Sequence, residues 1–449
     1  MKNRDPLLDL WRGLALIDMT WVHLAYVIGL TPWLMLWIGH YTRFAAGAFV
    51  LIAGISVART FGVNLQSSNR ATVQSTHWRL LRRALLLASL DRLVAVAYVV
   101  IDQFRLIPPL VTPNPPEVLD LLCFRAPGVT GGLLFLYALL LTATPLFDAV
   151  QRRFGGSVLI AASLSIYAIA YTSGATLQDA AWPFPVLYWQ VLFVMGYAIS
   201  QPLAHWRAGG GQVSARWLVL STGSFALLFL VRNGTALGLP IPPPMGDLAF
   251  VKAPLNPAEL IWYLAISNFV LTWSAWAWAQ AAEPQQSLNR LCQLGRQSLL
   301  VYVAHLFIEP PILELLTLVD PTPLTRAATL PLAVVVLVAV AAAGERFKRV
   351  RLAMLTLPAG AHHRGAVGGL IGSTVAVSAV AMVITLQVVV GPPANWTSAP
   401  IATDGEVILA TDEGAYTELT PYEESLNESE PVLFDADQES EGSRSVSET

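Results

Sequence analysis

Stretches of mostly apolar residues, each close to the length of a membrane-crossing helix, recur along the chain and leave little choice of fold. They lie near 14–31, 44–63, 84–102, 129–148, 157–174, 184–201, 215–232, 259–280, 298–318, 327–344 and 366–390. About 20 such residues cross the hydrocarbon core of a bilayer. A helix satisfies its own backbone groups there, which an open strand cannot do. Composition agrees: 55% of residues are hydrophobic and only 13% charged, where soluble domains carry about 25%. Secreted disulfide scaffolds, nucleic-acid binders and cytosolic enzymes are thereby excluded. The expected fold class is all-α, a polytopic integral membrane protein of about eleven transmembrane helices.

Charge sets the expected orientation. With the N-terminus cytoplasmic, 19 of the 27 Lys and Arg residues fall in inner segments, as the positive-inside rule requires. Eleven spans then put the C-terminus outside. The formal net charge of −3 hides two opposite parts, because residues 391–449 hold 14 acidic residues against one arginine, Arg444. Such a Glu- and Ser-rich stretch reads as disordered. The domain organisation expected is therefore a membrane-embedded helical domain over 1–390, with its last helix at about 366–390, and an acidic extracytoplasmic tail over 391–449. The tail is expected to extend from the surface and not to recruit a cationic partner.

Other features bound the chemistry. Cys123 and Cys292 fall on opposite sides of the membrane in this topology, so they do not pair. The first apolar run carries Arg12 and no small-residue cleavage pattern, which predicts a retained signal anchor. No metal-ligand cluster is evident: His362 and His363 are adjacent in a basic, solvated loop. No Gly-rich phosphate loop sits in a strand–turn–helix context, which argues against nucleotide hydrolysis. The proline-rich outer segments 103–125 and 233–258 either shape an acceptor vestibule or merely connect helices. Two sequons, at Asn395 and Asn427, stand on the outer side. With nothing else pointing to a eukaryotic host, a bacterial plasma membrane is the expected location.

Ionisable residues within the spans are costly and therefore informative. In the first helix, Arg12 and His23 are eleven residues apart, which is three turns plus about 20°. They share one stripe, about 16 Å apart along the axis. The stripe reads equally as a functional groove or as a snorkelling arginine with a histidine bonded to a neighbouring helix. In the ninth span, Ser298, Tyr302, His305 and Glu309 fall on one face. There Glu309 is placed to tune His305, unless the stripe is simply helix–helix glue. The third span opens with Arg79, Arg82 and Arg83, either a stop-transfer cluster or, with Arg12, a crescent for phosphates. Deeper in, Asp18 and Arg92 sit at similar depth and predict a buried, chiefly structural pair.

Together these residues resemble the transmembrane acyltransferase superfamily. It includes acyltransferase-3 enzymes, succinyltransferases of osmoregulated periplasmic glucans and heparan-α-glucosaminide acetyltransferases. The opening Leu8-Asp9-Leu10-Trp11-Arg12-Gly13 is similar to the first-helix motif, with its histidine eleven positions after the arginine. Arg79-Leu80-Leu81-Arg82 looks like the acyltransferase-3 RxxR. The stretches Phe44–Gly54 and Leu294–His305 resemble the second-helix and late-helix patterns. At Arg43-Phe44-Ala45-Ala46-Gly47 the chain departs from glucan- and heparan-type relatives, several of which carry an acidic residue there. That departure argues against those two substrates.

The resemblance implies an acyl-CoA donor, acetyl-CoA or succinyl-CoA, entering from the cytoplasm, and no permanently bound cofactor. Arg12, Arg79, Arg82 and Arg83 would hold the CoA phosphates. His23 would act as general base or transient nucleophile, with His305 and Glu309 orienting it or stabilising developing charge. His40, in the first outer loop, is a secondary candidate beside the heparan-type outer-loop histidine. Expected partners are membrane lipid, acyl-CoA and an extracytoplasmic glycan or other acceptor, with no nucleic acid. The competing class is a transporter or flippase, which would ordinarily show internal repeats and paired broken helices; no clear repeat is evident.

Overall fold

A computed structural model describes residues 5–28, 43–103, 124, 132–174, 184–208, 212–234, 239, 255–280, 286–318 and 322–355. Among them every regular element is a helix. Helix α1 (Pro6–Val27) starts where Asp5 accepts a hydrogen bond from the Leu7 amide at 3.0 Å, with Pro6 in the first turn. Both features favour a helix start. Helix α2 (Ala45–Val57) is apolar all round and buried along most of its length, as a helix enclosed by others must be. It runs on through a π turn at Ala58–Gly62 into Val63–Leu65.

Helix α3 (Arg70–Gln103) has 34 residues, so at 1.5 Å per residue it is about 50 Å long, well beyond a bilayer core. Helices α4 (Leu133–Phe154) and α5 (Gly156–Ser173) are joined by Gly155 alone. Its φ of 89° is open to glycine and strained for other residues. Then follow α6 (Val186–Ala208), α7 (Ala215–Asn233), α8 (Pro257–Gln280), α9 (Gln286–Arg296), α10 (Ser298–Leu318) and α11 (Pro323–Leu355). Helices α9 and α10 meet at a 90° bend.

Helices stand at ten of the eleven expected positions. The expected helix at 366–390, the acidic tail, Cys123 and His40 lie outside the described residues. Among the described residues, seven helices are long and apolar enough to cross a membrane, or eight if the bent α9–α10 pair is one span. Helices α1 and α3 are not among the seven. Arg12, Asp18 and His23 lower the hydropathy of α1, and Arg79, Arg82 and Arg83 join Asp91 and Arg92 in charging α3. Both also start earlier than their apolar runs, at residues 6 and 70. Hydropathy marks the part suited to lipid, whereas the hydrogen-bonded backbone continues through polar turns.

Glycines set the tightest contacts. A Cβ on Gly295 of α9 would lie 1.7 Å from the Asp9 carbonyl oxygen of α1, and one on Gly13 would lie 2.2 Å from that of Leu291. Between α2 and α6, a Cβ on Gly54 or Gly196 would meet a backbone oxygen at 2.0 Å. Small residues let helix backbones approach in this way. Around these contacts lies a core with Trp11, Trp189 and Trp262 fully enclosed.

Gly196→Leu should therefore separate α2 from α6 and destabilise the protein by about 1–3 kcal/mol or more, the usual cost of overpacking. Gly223 has nothing within 4 Å of a built Cβ, so Gly223→Leu should leave stability unchanged. Thermal unfolding in detergent, followed by loss of the monodisperse species, checks both; equal midpoints for the two variants would refute the close-packed contact.

Candidate active site

Helix α10 begins half-buried at Ser298, directly after the bend, and carries Tyr302 and His305 one turn apart on its inward face. His305 is fully buried. Its Nδ1 bonds the Tyr302 carbonyl oxygen. A carbonyl only accepts, so the proton sits on Nδ1 and Nε2 presents a lone pair. That Nε2 is enclosed and has no hydrogen-bond partner among the described residues. The Tyr302 ring lies 5.2 Å from the imidazole, centroid to centroid.

Opposite stands His23 of α1, half-buried, its ring centroid 5.4 Å from that of His305. The two histidines are far apart in sequence, yet they share one site. Glu309 belongs to α10, but its side chain lies outside the described residues.

The Arg12 end of the same α1 stripe is held in place. Arg12 donates to Asp9 at 2.9 Å and to the Ser56 hydroxyl of α2. Arg59, in the π turn, pairs with Asp5. Arg83 lays its guanidinium 5.1 Å from the Phe61 ring centroid in the same turn. Thus Arg12, Arg59 and Arg83 gather about residues 56–61, a grouping in which Arg59 had not been singled out. Arg79 and Arg82 are exposed on α3, and no hydrogen bond or ion pair among the described residues engages them.

One expected pairing is corrected. Asp18 does not pair with Arg92: its Oδ2 accepts from the backbone N–H groups of Phe44 and Ala45, at 2.8 and 2.9 Å. Helix α2 has no side-chain cap of its own at Phe44, so a carboxylate from α1 supplies one, where the helix dipole also favours it. Arg92 instead pairs with its neighbour Asp91 and lies 4.4 Å over the Phe124 ring.

A second buried ionic group joins three distant segments. Glu259, in the first turn of α8, lies 3.7 Å from Arg43 and 3.4 Å from Arg232 at the end of α7. Arg232 also packs 4.8 Å from the Trp262 ring centroid. No pattern in the sequence connects these three residues. Among the described residues no group of three or more His, Cys, Asp or Glu side chains could hold a metal. A cleft between α3 and α4, lined by Gln74, His77, Trp78 and Thr142 among others, shares no residue with the histidine pair.

Helices apolar enough to span a bilayer, enclosing two facing imidazoles, define a multi-pass membrane protein with a buried polar site. The chain belongs to the OpgC protein family, whose model matches residues 4–349, and with it to the membrane acyltransferase-like proteins it resembles. The match contains every candidate residue discussed above and ends before the apolar run at 366–390. It also runs through Arg43–Gly47, where the sequence departs from several glucan- and heparan-type relatives. Comparison with curated proteins and with solved structures returned no match.

Replacing Asp18 by Leu strands two buried backbone donors, and an unsatisfied buried group costs about 1–3 kcal/mol. Asp18→Leu should lower the unfolding free energy by about 2–5 kcal/mol on that basis, and Asp18→Asn, which keeps one acceptor oxygen, by clearly less. Thermal denaturation of both variants in detergent checks the order. Equal losses would refute the capping role.

Proposed function

We propose that the protein transfers an acyl group from cytoplasmic acyl-CoA to a hydroxyl or amine of an extracytoplasmic glycan, across a bacterial inner membrane. The family match favours a succinyl donor and a periplasmic glucan acceptor; acetyl-CoA is the other donor considered. The observation that carries the reading is the facing imidazole pair, with one lone pair enclosed and unpartnered. In this topology of about eleven spans, with the N-terminus inside, Arg12, Arg79, Arg82 and Arg83 stand toward the cytoplasm. His23 stands deeper on the same stripe as Arg12.

The chemistry follows from that order. Guanidinium groups hold the CoA phosphates by charge-assisted hydrogen bonds. The pantetheine arm carries the thioester inward to the histidines. His23 takes the proton from the acceptor hydroxyl as its oxygen attacks the thioester carbonyl carbon. The tetrahedral intermediate collapses, the C–S bond breaks, and the CoA thiolate leaves with the proton that His23 carried. Ester and free CoA are the products, so no redox partner is needed.

His305 positions this base. The ring centroids lie 5.4 Å apart, so a turn of the imidazoles toward each other brings facing nitrogens to about 3–3.5 Å, within hydrogen-bond reach. With its own proton committed to the Tyr302 carbonyl, Nε2 can accept the N–H of His23 and leave the other His23 nitrogen free as base. Glu309 is assigned a supporting role one turn beyond.

Purified protein in detergent should bind succinyl-CoA or acetyl-CoA and release thiol. His23→Ala should retain binding and lose thiol release by roughly 100-fold or more, the range for a missing general base. Arg79→Ala/Arg82→Ala should weaken CoA binding about 10- to 100-fold, as expected for lost charge-assisted contacts. Absence of binding at millimolar acyl-CoA would overturn the reading and favour the transporter class.

A further inference from the structure

Helix α10 runs through a proline, Pro310, without ending there. Proline has no backbone N–H, and its ring crowds the carbonyl four residues earlier. In α10 that carbonyl belongs to Leu306, the residue directly after His305. The turn that carries the histidine therefore lacks one of the hydrogen bonds that hold an α-helix together. Within a membrane bundle a carbonyl freed in this way is satisfied from a neighbouring helix.

Tyr98 of α3 supplies the partner. Its side chain is buried, and its hydroxyl donates to the Leu306 carbonyl oxygen. Its ring lies 5.4 Å from the Phe307 ring, centroid to centroid, so one tyrosine engages two successive residues of α10. The residue before them is His305, fully buried and facing His23. At its other end the segment begins at the 90° bend between α9 and α10. The turns that present Tyr302 and His305 are thus bounded by a bend on one side and a missing helix bond on the other.

A helix with such a bond missing can pivot at that turn. Pinning the open carbonyl to α3 fixes the direction in which the next side chain, the imidazole, leaves the helix. The proposed chemistry depends on that direction. A hydrogen bond between two imidazoles weakens steeply as it bends, and a catalytic group misplaced by 1 Å loses about 100-fold in rate. Resting on the acyl-transfer reading above, we infer that Tyr98 is a positioning residue for His305. By donating to the Leu306 carbonyl it replaces the N–H that Pro310 lacks, and it holds the imidazole at the angle from which His305 orients His23. Tyr98 acts through the backbone of α10, and no bond or proton of the transfer passes through it.

In the full chain, Tyr98→Phe removes only the hydroxyl, and Pro310→Ala supplies the missing N–H from within α10. The two substitutions are made singly and together. Thiol release, KM for succinyl-CoA and acetyl-CoA, CoA binding and thermal unfolding are measured in one detergent. Tyr98→Phe should lower kcat roughly 10- to 100-fold, the range for a catalytic group displaced by up to about 1 Å, with KM and CoA affinity unchanged. In the Pro310→Ala background the Leu306 carbonyl has a partner in its own helix. There the same substitution should lower kcat less than about 3-fold, the non-additivity expected of two groups that serve one acceptor. A hydroxyl that merely stabilises the fold would lower the unfolding midpoint and leave the kcat of the folded fraction intact, which overturns the inference. Equal losses in both backgrounds overturn it too, because they place the effect of the hydroxyl elsewhere than at Leu306. An effect on KM alone does the same. If wild type binds acyl-CoA but releases no thiol to any acceptor offered, the acyl-transfer reading fails, and this inference with it. An active wild type with an equally active Tyr98→Phe overturns the inference alone.

Discussion

Lipid offers no partner to a buried charge, so each charged side chain within such a bundle must be neutralised or hydrogen-bonded by the protein itself. Much of this architecture follows from that requirement. Asp18 is enclosed because two backbone donors at the start of α2 need an acceptor. Arg92 turns to Asp91 and an aromatic face. Glu259 draws in Arg43, just before α2, and Arg232, in the last turn of α7, and so ties the ends of α2, α7 and α8 together. Removing one member of such a group leaves an uncompensated charge, which costs more than the intact group contributes. These residues hold helices at fixed positions, a stabilising role that needs no substrate.

Helix α2 shows how this framework reaches the histidines. Its first turn is capped by Asp18 of α1. Its far end is held by Arg12 through Ser56, and the turn beyond it by Asp5 through Arg59. Helix α1 therefore clamps α2 at both ends. Asp18 and His23 are five residues apart, so they project about 140° from each other around α1. The Asp18 side of the helix caps the start of α2, and the stripe shared by Arg12 and His23 meets the end of α2 at one level and α10 at another. On a further side, Gly13 and the Asp9 backbone lie against α9 with no room for a Cβ on either glycine involved. A helix constrained on several sides has little freedom to rotate, and that fixes where the His23 ring can point.

Helix positions were legible in the sequence wherever apolar length alone decides them, as for α2 and α4–α8. Periodicity also placed Tyr302 with His305, because a straight helix preserves face relations from turn to turn. Relations between helices were less accessible. Equal depth suggested Asp18 with Arg92, but depth carries no information on azimuth, and the uncapped amides at Phe44 and Ala45 were the nearer claim on the carboxylate. The Arg43–Glu259–Arg232 group escaped notice because each residue lies at a helix end, where a charge excites no suspicion.

The polar groups of this protein therefore separate into two kinds. Those with complete local partners, Asp18 above all, define where helices sit. The His305 Nε2, by contrast, is an enclosed acceptor with no hydrogen-bond partner among the described residues. Its cost is the same desolvation penalty that Asp18 avoids. In the proposed reaction the N–H of His23 meets that acceptor once the two rings turn toward each other. Under the proposed acyl transfer, stability lost at such a site is binding energy held for the transition state. On that reading the paired residues around α1 and α2 serve turnover as much as the histidines do, since preorganised groups act only if they are held in place before the substrate arrives.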